Sequence, residues 1–153
     1  MKKLFFVLLL FTFVACSKDK ENSVEDTTGT VTLKFVKNKT LSNGSVVEEN
    51  FKMSVVQVWK ADNKELKWGG TGDGEYALEE STGSVFKADY QYSNLDLKNI
   101  SLPAGKYFVA AVSGLIESPI AAHTYTHFNV KKGENVIVQK NVTGMKFYSY
   151  NAW

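Results

Sequence analysis

Hydrophobic residues fall along this chain in two patterns. Residues 4–15 form one uncharged, apolar run, whereas from Gly29 onward apolar and polar residues alternate in short stretches. In Val31-Thr32-Leu33-Lys34-Phe35 the apolar side chains occupy odd positions, which a strand turns to one face. Residues 51–59 are rich in valine and aromatics, and the pair Val55-Val56 breaks the alternation. That break predicts a strand covered on both faces, or a bulge. Residues 84–92 set Phe86, Ala88, Tyr90 and Tyr92 in one register and read as a single strand. Leu95-Asp96-Leu97 runs on towards Ile100 and Leu102, and residues 106–112 are the most apolar stretch beyond the leading run. Strands over 124–130, 136–140 and 145–150 complete the set.

Turn signals punctuate these runs. Asn43-Gly44, Ala61-Asp62-Asn63-Lys64 and Pro103-Ala104-Gly105 are turns, and Lys132-Gly133-Glu134-Asn135 reads as a hairpin turn. No window of ten residues carries a helical apolar stripe, although residues 75–80 suit one helical turn. Seven to nine short strands at this spacing predict an all-β chain, a single antiparallel β-sandwich with Greek-key connections. An up-and-down barrel is the alternative closure of the same strands.

The leading run has a different meaning. Lys2-Lys3, the apolar run and the small Ala15 have the order of a secretory signal, and the run falls short of the roughly 20 residues a spanning helix needs. Cys16, the sole cysteine, follows at once. Phe13-Val14-Ala15-Cys16 resembles the lipobox of bacterial lipoproteins, with Phe13 standing where leucine is usual. The resemblance implies cleavage before Cys16 and a lipid on its thiol, the most readily alkylated side chain. Several acyl chains then give stable attachment to a membrane. The expected organisation is a signal peptide over 1–15, a tether over 16–28 and a β domain over 29–153.

Residues 17–28 are polar and charged, too poor in apolar surface to order themselves. Ser17-Lys18-Asp19-Lys20-Glu21 resembles the short charged export signal that follows the lipidated cysteine in some Gram-negative surface lipoproteins, and Asp26-Thr27-Thr28 resembles a bacterial O-glycosylation acceptor. The implied address is the outer membrane, on its exposed side.

Charge removes other classes. All 18 basic residues are lysines, against 16 acidic ones, so losing Lys2 and Lys3 brings the domain to near neutrality. A nucleic-acid binder would carry a basic stripe, and none is present. The absence of arginine disfavours bidentate capture of anions. With no cysteine after Cys16, no disulfide framework supports the domain.

Catalytic patterns are sparse. His123 and His127 on a strand would share a face at a separation of about 13 Å, too far for one zinc ion. Gly69-Gly70-Thr71-Gly72-Asp73-Gly74 lacks the Gly-Lys-Ser/Thr of a phosphate loop and the acidic ligands of a calcium loop, and reads as a connection. Glu48-Glu49 and Glu79-Glu80 are adjacent, so strands would turn each pair to opposite faces. No serine sits in a nucleophile elbow. No catalytic residue, metal or cofactor is predicted.

Ile100-Ser101-Leu102-Pro103-Ala104-Gly105-Lys106-Tyr107-Phe108-Val109-Ala110-Ala111 resembles the hairpin of prealbumin-like sandwiches. That group includes transthyretin-like domains of fimbrial accessory lipoproteins and carboxypeptidase regulatory-like domains. Val56-Gln57-Val58-Trp59-Lys60-Ala61-Asp62-Asn63-Lys64-Glu65 is similar to their strand and polar turn. The resemblance spans about 60 residues and implies a prealbumin-like or immunoglobulin-like sandwich, with Tyr107 inserted between its sheets.

The expected function is therefore a non-enzymatic structural or adhesive role on the cell envelope, with the membrane as partner through Cys16 and surface proteins beyond it. The alternative is a glycan-binding accessory module. Its candidate contacts are the aromatics near the glycine cluster, Trp68, Tyr76, Tyr90 and Tyr92, which could stack on sugar faces. The aromatic-rich C-terminal strand, ending at Trp153, is a further candidate for pairing with a neighbouring sheet edge.

Overall fold

Alternation over residues 31–35 belongs to a longer strand, β1 (Thr28–Thr40), which begins one residue before the expected domain boundary. The structure is a computed structural model that describes residues 27–69, 76–93, 96–114, 121–146, 150–151 and 153. Cys16, the tether up to residue 26 and residues 70–75 lie outside the described residues. Eleven strands follow β1: β2 (Val46–Asn50), β3 (Val55–Lys60), β4 (Leu66–Trp68), β5 (Tyr76–Glu79), β6 (Val85–Lys87), β7 (Tyr90–Tyr92), β8 (Leu97–Pro103), β9 (Gly105–Gly114), β10 (Ala121–Val130), β11 (Asn135–Asn141) and β12 (Tyr150–Asn151). The described residues are all-β, with no helix among them.

Three sheets result. In the first, β1 is central: Val36 faces Asn50 of β2 and Asn141 of β11, while Thr30 faces Ser101 of β8 and Asn135 of β11. Hence β2 and β8 share one edge of β1, and β11 holds the other, parallel to it. The second sheet runs β12-β10-β9-β3-β7 and the third β4-β5-β6.

Two cores lie between them. Val31, Leu33 and Phe35 of the first sheet pack with Val56, Val58, Tyr107, Val109 and Phe128 of the second. On the opposite face of the second sheet, Trp59, Phe108 and Ala110 pack with Leu66 and Ala77 of the third. Because β3 and β9 are buried on both faces, neither needs polar positions in alternation. This explains the Val55-Val56 break.

The strand count exceeds the expected seven to nine, and two ladders, β1–β11 and β10–β12, are parallel. Much of the excess is the third sheet, whose strands are three or four residues long, too short to show a period. Residues 76–79 are strand and not a helical turn, paired with Leu66–Trp68 and Val85–Lys87. The single strand expected over 84–92 is two, β6 in the third sheet and β7 in the second. Asp89 divides them: its carboxylate accepts the Lys60 N–H at 2.6 Å and its own N–H donates to the Val58 carbonyl at 3.0 Å.

Two turns are inter-sheet corners rather than hairpins. Pro103–Gly105 leads from β8 in the first sheet to β9 in the second, and Lys131–Glu134 leads back from β10 to β11. At the first corner Tyr107 is fully buried, and its hydroxyl donates to the Pro103 carbonyl at 2.8 Å. The expected insertion of this ring between sheets is what the structure shows.

Candidate functional site

The four aromatics near the glycine cluster divide between two sheets. Tyr90 and Tyr92 stand on β7 opposite Val58 and Val56 and pack against the core shared by the first two sheets. Trp68 and Tyr76 belong to the third sheet. All four are half-buried. Trp68 meets Trp59 edge-on at 6.3 Å and stacks on His123 at 6.0 Å. Its indole N–H is buried without an acceptor among the described residues. Tyr76 is held beside Gly69, whose N–H donates to the Tyr76 carbonyl at 3.0 Å. A Cβ on Gly69 would approach Leu78 Cγ to 2.5 Å and Tyr76 Cε2 to 2.7 Å, so only glycine fits. Burial raises the Tyr92 hydroxyl above its ordinary range, with help from Tyr90.

His123 and His127 lie on β10 at positions of equal parity, as its spacing implies, facing the third sheet with Tyr125 between them. Burial holds both imidazoles below the usual histidine range. For His127 the nearby Lys106 adds to the depression, opposed by Glu65 and Glu80. His127 also lies 5.0 Å from the Phe108 ring, with Nε2 buried and unpartnered among the described residues. Lys106 and Glu65 form an ion pair at 2.6 Å that lowers the Glu65 carboxyl. Among the described residues no group of three His, Cys, Asp or Glu is placed to hold a metal ion. Glu48 and Glu49 lie on β2, and Glu49 pairs with Lys37 and Lys39, which lower its carboxyl. Glu79 ends β5 and Glu80 begins the turn after it, where Glu79 accepts the Thr82 hydroxyl.

Of the strand expected over 145–150, residues 145–146 are not strand and 147–149 lie outside the described residues; Tyr150–Asn151 is strand and pairs within the chain. β12 runs parallel to β10 through Tyr150–His123 and Asn151–Thr124, and Trp153 meets Phe35 edge-on at 5.7 Å. Asn151 fixes it, donating to the His123 and Lys146 carbonyls and accepting the Lys146 N–H.

A different element carries exposed apolar surface. β1 outruns the body of the first sheet and returns as β2, so residues 38–48 are all exposed. The turn is built on Asn43-Gly44: Gly44 takes a φ of 84°, and Asn43 Oδ1 accepts the Ser45 N–H at 3.0 Å. Five large apolar side chains are exposed among the described residues, and Leu41, Val46 and Val47 on this hairpin are three of them. Sequence reasoning passed over them, yet a signal exists. Val46-Val47-Glu48-Glu49 offers both faces an apolar and then a charged residue, the pattern of a strand with neither face in a core. At the base of the hairpin a concavity of about 280 Å³ is lined by Lys37, Phe51, Ala122, Val142 and Met145 among others. Lys37 Nζ stands 5.7 Å over the Phe51 ring there.

No protein-family model matches the chain, and neither the curated proteins nor the solved structures contain a match to it.

Proposed function

We propose that this chain is a lipid-anchored protein of the outer-membrane surface with a non-enzymatic structural or adhesive role. In this reading the strands form a Greek-key β-sandwich of the prealbumin or immunoglobulin type, and the β1–β2 hairpin is the contacting arm. The lipobox-like Phe13–Cys16 and the charged segment after it support the anchor. The observation that carries the role is the concentration of exposed apolar side chains at Leu41, Val46 and Val47. Val46 and Val47 point to opposite faces of the hairpin, so both of its faces offer exposed apolar surface for contact. The thirteen residues of β1 span about 40 Å as a strand, so the hairpin tip lies far from Thr28, where the tether enters. An arm directed away from its anchor suits contact with other surface structures.

Glycan binding has less support, because Trp68 packs on the opposite face of the second sheet from Tyr90 and Tyr92 and its N–H is buried. The test places a photo-crosslinking residue at Val46 in whole cells, with Cys16→Ala as the unanchored control. Cross-links to surface-assembly subunits that vanish with Cys16→Ala and with Val47→Lys support the role. Retained lipid labelling after Cys16→Ala, or cross-linking indifferent to Val47→Lys, overturns it.

A further inference from the structure

The first sheet has a second open edge with a different chemistry. β11 meets β1 on one side, where Thr30 N–H donates to the Glu134 carbonyl and Val142 N–H donates to the Val36 carbonyl, both at 2.8 Å. Backbone groups alternate in direction along a strand, so those of Asn135, Ile137, Gln139 and Asn141 point away from β1. No described strand takes them up. These four residues are exposed, and Ile137, at 64%, is the most exposed large apolar side chain among the described residues.

We propose that β11 pairs antiparallel with β11 of a second copy of this chain, about a two-fold axis at Ile137. The segment 134–140 is complementary to itself in that register. Ile137 meets Ile137 of the partner subunit, and Asn135 stands opposite Gln139 of the partner subunit, amide against amide. Val136 stands opposite Val138 of the partner subunit, and Glu134 opposite Lys140 of the partner subunit. Faces match as well as residues. Val136 and Val138 lie level with Val31 and Leu33 on the core side, and Ile137 lies on the other. Residues with outward backbone groups pair with one another, so core side continues into core side across the axis.

The charges make the edge selective. Half-buried Lys140 on the core side of an edge strand opposes pairing with an arbitrary strand, a common protection of sheet edges. This chain's own Glu134 answers that lysine, so the arrangement discourages foreign strands and admits a second copy. A slip of two residues sets Glu134 opposite Val138 and loses the match. On the far side of β1, β2 offers no equivalent: a two-fold axis at Glu48 sets carboxylate against carboxylate. The resulting pair is closed by symmetry and does not extend into a filament. The inference is independent of the lipid anchor.

The test uses the full chain solubilised in detergent. In a Cys16→Ala chain, Ile137→Cys places two thiols at a Cα separation of about 5.5 Å across the axis, within disulfide range. Mild oxidation is expected to give a covalent dimer that Val85→Cys, at a comparably exposed site on β6, does not give. In sedimentation the unmodified chain is expected to dimerise and Ile137→Lys to be monomeric with an unchanged far-UV spectrum. Lys140→Glu should weaken the dimer about tenfold through its two symmetric pairs, and adding Glu134→Lys should restore it. A chain monomeric at every concentration, a dimer that survives Ile137→Lys, cross-linking no greater than that of Val85→Cys, or a double swap without recovery each overturns the proposal.

Discussion

The indole N–H of Trp59, on β3 of the second sheet, donates to the main-chain carbonyl of Phe86, on β6 of the third, at 2.9 Å. The same ring packs on Phe108 at 5.5 Å and is almost wholly buried. One side chain thus fills the second core and bonds across it. Trp59→Phe removes the donor and part of the buried ring, so the expected loss is at least the ~1–3 kcal/mol of a buried hydrogen bond with one partner deleted. Urea unfolding should show a lower midpoint at unchanged m. An unchanged midpoint would mean that the third sheet does not depend on this bond.

At the corner between β8 and β9, burial pushes the Tyr107 hydroxyl up to about 12, with Tyr90, Asp62 and Asp89 adding to it. The folded state therefore holds this proton where the unfolded chain, near pH 10, has lost it. Stability from this group is complete below pH 10 and declines as pH rises through 12, at about 1.4 kcal/mol per pH unit within the window. Tyr107→Phe should flatten the decline between pH 10 and 12. At neutral pH it should cost about 0.5–1.5 kcal/mol for the bond to Pro103. Parallel unfolding curves for the two proteins across that window would contradict the assignment.

Gly69 is the one described residue of the glycine cluster, and its role there is steric. A methyl group at this position meets Leu78 and Tyr76 inside ordinary contact. Gly69→Ala is expected to destabilise by about 1–3 kcal/mol, the usual range for overpacking a filled site. A thermal melt within experimental error of the unmodified chain would show that Tyr76 and Leu78 yield freely.

The elements that were legible in the sequence are those where one physical cause acts alone. β1 alternates because one of its faces is buried, and Asn43-Gly44 marks a turn because Gly44 needs a positive φ. β3 showed double burial through Val55-Val56, although the layer covering its second face was not foreseen. The layer was missed because Leu66–Trp68, Tyr76–Glu79 and Val85–Lys87 are too short to carry a period. Corner and hairpin turns share their glycine and proline chemistry, so Pro103–Gly105 and Lys131–Glu134 could not be told from hairpins locally. Which sheet receives the next strand is settled by burial of Tyr107 and Val138, a long-range matter. Of the candidate site, aromatic residue type was legible and the face each ring occupies was not, since Asp89 moves Tyr90 and Tyr92 into a different sheet from Phe86.

The histidine face is expected to make the fold sensitive to mild acid. His123 is held below its ordinary range by burial, and His127 by burial and then Lys106. A histidine whose folded value is depressed binds its proton more readily in the unfolded chain. The unfolded state therefore gains protons first as pH falls through about 6.5, and stability rises with pH across that region. For His127, Glu65 and Glu80 face the imidazole and temper the effect, while Lys106 reinforces it. His123 is additionally stacked on Trp68, so its protonation would disturb the ring layer that joins the second and third sheets. Unfolding midpoints should fall between pH 7 and pH 5 in the unmodified chain. His127→Gln should remove part of that slope while leaving the high-pH decline assigned to Tyr107 in place. If the slope is instead unchanged in both His123→Gln and His127→Gln, neither imidazole is the group whose protonation unfolds the chain.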